Sequence, residues 1–352
     1  MKRATILVVV FLVAATAWTQ TTIGDYEEGF QSFVDEFARS LPMNSTVGLN
    51  WSDAYIGQLV SVPPSFGVGV TTGVTTIPYA AFDGLFDDLG LDIPTEISEF
   101  SAVGVPFPAY TVDARVGGFL LPFDVGLKFG ALPGGVDFGD VSLEYTLFGA
   151  DVRYAVIEQG MGVLPDLSIG VGYNRLNGAV SLPSGIGQIE VSEVPDDPND
   201  PESTVTLALD EPQLDFDWGA NVFDFRAQAS KKILFLEPHF GIGAALGIAD
   251  ANAGLTTEVY TDDNGNGSLD TGEALTDAEI EQIKNAAAEA GVSLPSDFDQ
   301  TGLGVESNVN SFAFRIFGGT SFNILILRLD LGLMYNITSG SVGGTLGARV
   351  QL

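Results

Sequence analysis

The sequence predicts an all-β fold: a transmembrane antiparallel β-barrel of 10–14 strands, with a short N-terminal helix and long outer loops carrying short helices. Three observations predict it. The C-terminal stretch 322–352 alternates strictly, with Leu325, Leu327, Leu329, Leu331, Leu333 and Tyr335 on one parity and Arg328, Asp330, Gly332, Met334 and Asn336 on the other. A dry face opposite a face of charges and glycines fits lipid outside and a polar lumen inside. Past the first 17 residues no run reaches 18 unbroken apolar residues. Only a closed barrel then lets the chain span a bilayer with its backbone groups paired. Long and short connections also alternate along the chain.

Residues 1–17 come first: Lys2 and Arg3, an apolar run from Ile6 to Ala15, then Ala15-Thr16-Ala17. A basic start, a short apolar core and a small-x-small end read as a cleaved secretory signal peptide, the run being too short for a membrane anchor. The chain has no cysteine, so no lipid anchor on Cys and no disulfide is expected. Net charge is −32, and −34 once Lys2 and Arg3 are removed. Such acidity speaks against nucleic acid as a partner. The 43 glycines accompany periodic apolar residues, which fits a barrel better than disorder.

Residues 18–64 are read as an N-terminal helix and possible plug. Tyr26, Phe30, Phe33, Val34, Phe37 and Ala38 recur at helical spacing over 24–41, with acids at the start and Arg39 at the end. Such a helix either packs against its own barrel, the first expectation, or plugs the lumen.

The barrel is expected over 65–352. Its strands read as Phe66–Ile77, Tyr110–Leu120, Phe123–Ala131, Val141–Val156, a strand marked by Leu167 to Tyr173, 214–228, 233–248, 306–319 and the two C-terminal arms. Pro133-Gly134-Gly135 is expected to turn the chain, and a change of apolar parity near Gly149 suggests a bulge. Short turns near 121, 157–166, 229–232 and 320–321 fall on one side. The long connections 78–109, 177–213 and 250–305 fall on the other, as in outer-membrane barrels. The count is ten; pairing of Ile186–Val194 with Thr204–Leu209 would raise it to 12 or 14. The connection 78–109 carries an apolar stripe, Phe82, Leu85, Phe86, Leu89 and Leu91, read as a docked helix or a lid. The long connections are strongly acidic, Lys284 being their only base.

Two constellations could carry chemistry. Asp262, Asn264, Asn266, Ser268, Asp270 and Glu273, with Gly267 at the sharp turn, fit a twelve-residue calcium loop at each defined position. Asp262, Asn264 and Asn266 would give side-chain oxygens, Ser268 its carbonyl, Asp270 a direct or water-mediated contact and Glu273 two oxygens. The segment before the loop reads as a strand, so this is an EF-hand-like loop and not a full hand. A weak structural Ca²⁺ that orders the loop is expected; the alternative is a metal-free acidic turn. The second constellation is a set of lumen charges. Asp113/Arg115, Asp151/Arg153, Asp224/Arg226 and Arg328/Asp330 each lie two apart on the inward parity, joined by Asp124, Lys128, Glu237, His239, Arg315 and Arg349. They either neutralise one another in a filled barrel or line a wet pore.

Thr345-Leu346-Gly347-Ala348-Arg349-Val350-Gln351-Leu352 resembles the terminal insertion signal of bacterial outer-membrane barrels, with Leu in place of the usual Phe. That resemblance implies the barrel-assembly machinery as a partner. In its helix, its Leu49-Asn50-Trp51-Ser52 segment, its Gly-rich hairpins and its terminal signal, the mature chain resembles porin-like outer-membrane β-barrel proteins of diderm bacteria. More distantly it is similar to the long-chain fatty-acid transporter family, 14-stranded barrels in which a hatch, here 24–64, accompanies uptake of hydrophobic ligands. Ten-stranded outer-membrane proteases place several acids and a histidine at the mouth. Barrel phospholipases carry His-x-Ser, where this chain has His239-Phe240-Gly241. No enzyme is expected. The reading is an outer-membrane channel or uptake protein for small solutes, with a closed surface-interaction barrel or a fatty-acid-like transporter as alternatives.

Overall fold

The computed structural model describes residues 23–88, 93, 95–119, 121–138, 141–158, 164–183, 189–197, 200–209, 213–256, 259–262 and 302–352. Helix α1 (Ile23–Asn44) precedes β1 (Phe66–Ile77). Helices α2 (Tyr79–Asp88) and α3 (Thr95–Ser98) lie in the first long connection. The chain continues as β2 (Val105–Gly117), β3 (Phe123–Phe138), β4 (Val141–Ile157), β5 (Asp166–Pro183), β6 (Ile189–Asp197) and β7 (Asp200–Leu209). It ends with β8 (Gln213–Ser230), β9 (Leu236–Thr256), β10 (Val259–Asp262), β11 (Gly302–Ile324), β12 (Leu327–Asn336) and β13 (Val342–Gln351).

Ten strands close into an antiparallel barrel in the order β1-β13-β12-β11-β9-β8-β5-β4-β3-β2. Ten is the low end of the expected range. Strands β6 and β7 do pair, but with β10 in a separate three-stranded sheet, so they add nothing to the wall. Several boundaries differ from expectation: β2 starts at Val105, β5 runs to Pro183, β9 runs to Thr256 and β11 starts at Gly302, so the strands reach into the connections expected at 78–109, 177–213 and 250–305. The β11–β12 turn falls at 325–326, not 320–321, because Ser321 and Phe322 still pair with Asp330 and Leu329. Pro133-Gly134-Gly135 does not end β3; the register shifts between Leu132 and Val136, and the strand resumes to Phe138. No bulge occurs at Gly149, which pairs regularly with Lys128 and Asn174.

The parity change near Gly149 has another cause. Tyr145, Leu147, Gly149, Asp151 and Arg153 all face inward and are buried. What changes is the chemistry of each face with height. Ala150, Tyr173, Phe223, Leu246 and Phe312 form one paired row across the outside of the wall. Two rows nearer the long connections stand Thr146, Asn177, Gly219, Asp250 and Asn308, and then Glu144, Ala179, Asp217, Asn252 and Glu306. The lumen changes in the opposite sense, from Asp151, Arg153, Asp224 and Arg226 below to Tyr145, Leu147, Val222, Ala220, Trp218 and Phe216 above. The lower wall is apolar outside and ionic inside. The upper wall is polar outside and dry inside, like a soluble barrel.

The outer face below that boundary is a continuous apolar band, including Val70, Val112, Leu127, Val152, Ile169, Phe225, Ile242, Leu331 and Leu346, all exposed. From Phe240 to Ile248 a rise of ~3.4 Å per residue at ~40° tilt gives ~21 Å of wall. An apolar belt of about 25 Å is what a membrane barrel presents to lipid.

Candidate functional site: a plugged lumen

Helix α1 lies in the upper lumen. Its apolar stripe, Phe33, Val34, Phe37, Ala38 and Leu41, is buried against the dry part of the wall. Phe33 meets Phe216 edge-on at 4.9 Å and Phe82 of α2 at 5.1 Å; Phe37 meets Trp218 at 5.0 Å and Phe107 at 5.7 Å. The same 3.6-residue periodicity would serve a helix outside the barrel. The sequence signal that settles its place is the run of inward small residues on β9, Ala245, Gly247, Ala249, Ala251 and Ala253, which leave room for a helix. Residues Phe82, Leu85 and Phe86 of α2 then close over it, Leu85 and Phe86 being buried.

Below α1 the chain runs without regular structure through the ionic half to β1. Its backbone groups have no ladder, so each needs another partner. Inward side chains supply them. Asp113 accepts from the Leu49 N–H at 3.0 Å, Asp330 from Ser52 N–H at 3.1 Å, and Asp124 from Ile56 N–H at 3.2 Å. Ser230 Oγ accepts from Ala54 N–H at 2.9 Å. The Lys128 ammonium donates to the carbonyls of Ser45 (2.6 Å) and Val47 (2.7 Å), and Gln228 Nε2 donates to those of Trp51 (3.0 Å) and Ser52 (2.9 Å). At the upper end Asn44 Nδ2 donates to Thr75 Oγ1 and to the Phe107 carbonyl.

The side chains of this segment are also held. Trp51 lies between two cations, with the Arg349 guanidinium 4.4 Å and the Arg115 guanidinium 5.7 Å from its ring. Asp53 lies 2.5 Å from both Arg328 and Arg349, and its carbonyl accepts from Arg153 at 2.5 Å. Burial alone would push the Asp53 carboxyl up. The guanidiniums of Arg349 and Arg328 outweigh that and hold it well below the usual carboxylate range.

The wall charges interlock across strands and not within the i, i+2 pairs the sequence displays. Arg115 bridges Asp124 and Asp151, Arg153 bonds Asp124 at 2.8 Å, and Arg226 contacts Asp151. Arg315 pairs with Asp224 at 2.8 Å, Arg328 with Glu237 at 3.0 Å, and Arg349 with Asp330 at 2.6 Å. Successive β-residues point to opposite faces and i+2 neighbours stand about 7 Å apart along the strand, so cross-strand partners are nearer. The wall brings seven cations, Arg115, Lys128, Arg153, Arg226, Arg315, Arg328 and Arg349, against six carboxylates, Asp113, Asp124, Asp151, Asp224, Glu237 and Asp330. Asp53 of the inserted segment is the seventh carboxylate and makes the formal balance even. His239 lies near the short-turn end beside Phe317, with no protein partner for Nδ1 among the described residues.

Inward glycines give the segment its track. A Cβ on Gly67 would lie 2.8 Å from the Trp51 ring, on Gly126 2.8 Å from Leu49, on Gly73 3.0 Å from Val47, and on Gly247 2.5 Å from Pro42. The predicted lumen charges all lie on the inward face of the wall, from Lys128 level with Gly247 down to His239 near the short turns. Reading strands alone missed Asp53 and Trp51, because neither lies on an alternating segment. The signal that could have found them is arithmetic: an unbalanced wall and a surplus of inward glycines. The calcium-loop residues Asn264, Asn266, Ser268, Asp270 and Glu273 lie outside the described residues, as does the leader 1–17; Asp262 ends β10.

No protein-family profile and no curated protein matches the chain. Among solved structures, the translocator domain of the autotransporter NalP from Neisseria meningitidis is similar at 8% identity, covering 94% of this chain and all of that one, TM-score 0.30. A Pseudomonas aeruginosa FadL homologue is similar at 8% identity over 82% of this chain and 89% of its own, TM-score 0.23. The Ralstonia pickettii toluene transporter TbuX is similar at 9% identity over 82% and 88%, TM-score 0.20.

Proposed function

We propose that the chain is an integral barrel of the outer membrane of a diderm bacterium, sealed by its own N-terminal segment, whose working surface is the assembly of acidic long connections. The observation that carries this reading is the lumen itself. From Phe33 to Ile56 the inserted chain is packed or hydrogen-bonded to the wall at nearly every step. The apolar band around the lower wall supports the membrane setting, and the terminal Thr345–Leu352 pattern supports insertion by the barrel-assembly machinery. The reading contains no catalytic step. Glu237 is engaged with Arg328 and Asn323 and serves the wall.

A second reading, a gated channel for small solutes, is favoured by the glycine track. Withdrawal of the segment would leave a cavity lined by glycines and by one more cation than carboxylate. Planar-bilayer recording of the purified protein separates the two. The sealed barrel predicts silence from the full chain and openings only after deletion of 23–58. Steady openings from the full chain would reject it. The calcium loop is part of the proposal on its residues alone: a weak Ca²⁺ held by Asp262, Asn264, Asn266, Ser268, Asp270 and Glu273, ordering the third long connection.

A further inference from the structure

The short-turn end of the barrel carries exposed apolar tips. The β8–β9 turn presents Ile233, Leu234 and Phe235 after Lys231 and Lys232, and the β11–β12 turn presents Ile324, Leu325 and Ile326, with Leu325 97% and Leu234 85% exposed. The two turns are neighbours: the Asn323 N–H donates to the Phe235 carbonyl at 2.7 Å. Among the described residues of the other short connections, Phe119, Leu121 and Leu164 are exposed. At the opposite end, the described residues of the long connections expose few large apolar side chains, such as Val103 and Ile337.

Leu234 and Leu325 make the point sharper. Both adopt left-handed backbone, with φ of 55° and 56°. A turn tip in water takes Gly or Asn at such a position, since a Cβ is strained there and the tip is solvated. The strain is the same in any solvent, but an apolar tip is favoured over Gly or Asn where it is not in water. Nothing in the turn geometry requires leucine, and exposed Phe322, Leu327 and Phe240 at the adjoining strand ends carry the apolar surface up toward the lipid-facing band.

We propose that these turn tips are seated in the bilayer, so that the short-turn end of the barrel is covered by the acyl and headgroup boundary of the adjoining leaflet and does not project into the aqueous compartment. The occupant of this surface is phospholipid. This rests on the membrane reading above, and the test distinguishes failure of the one from failure of the other.

The chain lacks cysteine, so single-cysteine variants take one dye each. Variants Leu234→Cys and Leu325→Cys report the tips, Leu331→Cys the lipid-facing band, and Asn308→Cys the polar upper wall. Each is labelled with an environment-sensitive fluorophore in phosphatidylcholine vesicles, with and without lipid bearing a nitroxide on its acyl chain. The proposal expects quenching and blue-shifted emission at 234, 325 and 331, and neither at 308. Quenching at 331 with none at 234 and 325 overturns the proposal and leaves the barrel reading standing. No quenching at 331 overturns both. A second measurement needs no label: Leu234→Asn and Leu325→Asn should lower the urea midpoint of the vesicle-bound protein. A raised midpoint, the relief of left-handed strain at a tip in water, would overturn the proposal.

Discussion

The Asp53 carboxylate of the inserted segment sits 2.5 Å from the Arg349 guanidinium on the last strand, and the same guanidinium stacks 4.4 Å from the Trp51 ring. One side chain of the wall thus grips two of the plug, and Arg328 grips the first of them again. Removing one partner of a buried ion pair strands the others, at about 3–5 kcal/mol. Asp53→Asn should therefore loosen 45–58 while leaving the ten strands paired. The expected outcome is faster protease cutting within 45–58 and brief openings in planar bilayers, against an unchanged β signature in circular dichroism. Asp217→Asn, on the exposed upper wall, is the control that should do neither.

The same carboxyl sets a pH dependence. Its folded value lies below the ordinary one, held there by Arg349 and Arg328 against the opposing effect of burial. A depressed folded pKa means that its contribution to docking is fully present above the unfolded value, about 3.9, and is lost as pH falls through the folded value. The Asp53 contribution should be lost only below about pH 4, as a rise in protease cutting within 45–58 that Asp53→Asn no longer shows. An acid rise of the same size in Asp53→Asn would remove Asp53 from this role.

The glycine track predicts a coupling. A Cβ on Gly247 would meet the Pro42 ring at 2.5 Å and the Ser311 hydroxyl at 2.7 Å. Overpacking of this kind costs about 1–3 kcal/mol. Gly247→Ala should destabilise the seated helix, and Pro42→Ala in the same chain should recover part of the loss. The measurement is a double-mutant cycle on the urea midpoint of the lumenal tryptophan signal from Trp51 and Trp218. Strict additivity would mean that α1 does not press on β9 at this point.

The wall was legible in the sequence because lipid and lumen impose a period of two, as on Leu327 to Tyr335 against Arg328 to Asn336. The inward charges followed from the same parity. The plug was not legible in the same way. Segment 45–65 has no period, since its backbone groups bond largely to side chains of five different strands, β2, β3, β4, β8 and β12, and not to one neighbouring strand. The upper wall misled for a related reason: Tyr145 and Leu147 are apolar and face inward because they touch helix-bearing lumen, while Glu144 and Thr146 face water. A rule that equates apolar with outward fails where the wall leaves the bilayer, and it produced the bulge expected at Gly149.

The calcium proposal has its own test. An unpaired loop of this type should bind on the order of 10⁻⁴–10⁻³ M. Added Ca²⁺ at millimolar level should slow protease cutting within 256–300, EDTA should restore it, and Glu273→Gln should abolish the difference. Equal cutting in all conditions would leave the loop as an acidic turn.

The height at which the wall leaves lipid can be measured residue by residue along β9, whose outward side chains are Phe240, Ile242, Ala244, Leu246, Ile248, Asp250 and Asn252. An arginine on the lipid face costs about 2–4 kcal/mol at the bilayer midplane and about 0–1 near either boundary. If the polarity exchange marks the outer boundary, arginine at 242 or 244 should cost the most in folding free energy in vesicles. The cost should fall at 248 and vanish at 250 and 252. The inward series on the same strand should behave differently: Ala245→Arg and Ala249→Arg place a cation in the dry seat of α1 and should be costly at both heights, whatever the lipid thickness. Thinner bilayers should move the outward profile toward 240 and leave the inward series unchanged. A flat outward profile, or a maximum at 250, would mean that the upper wall is immersed, and the dry upper lumen would then need another explanation.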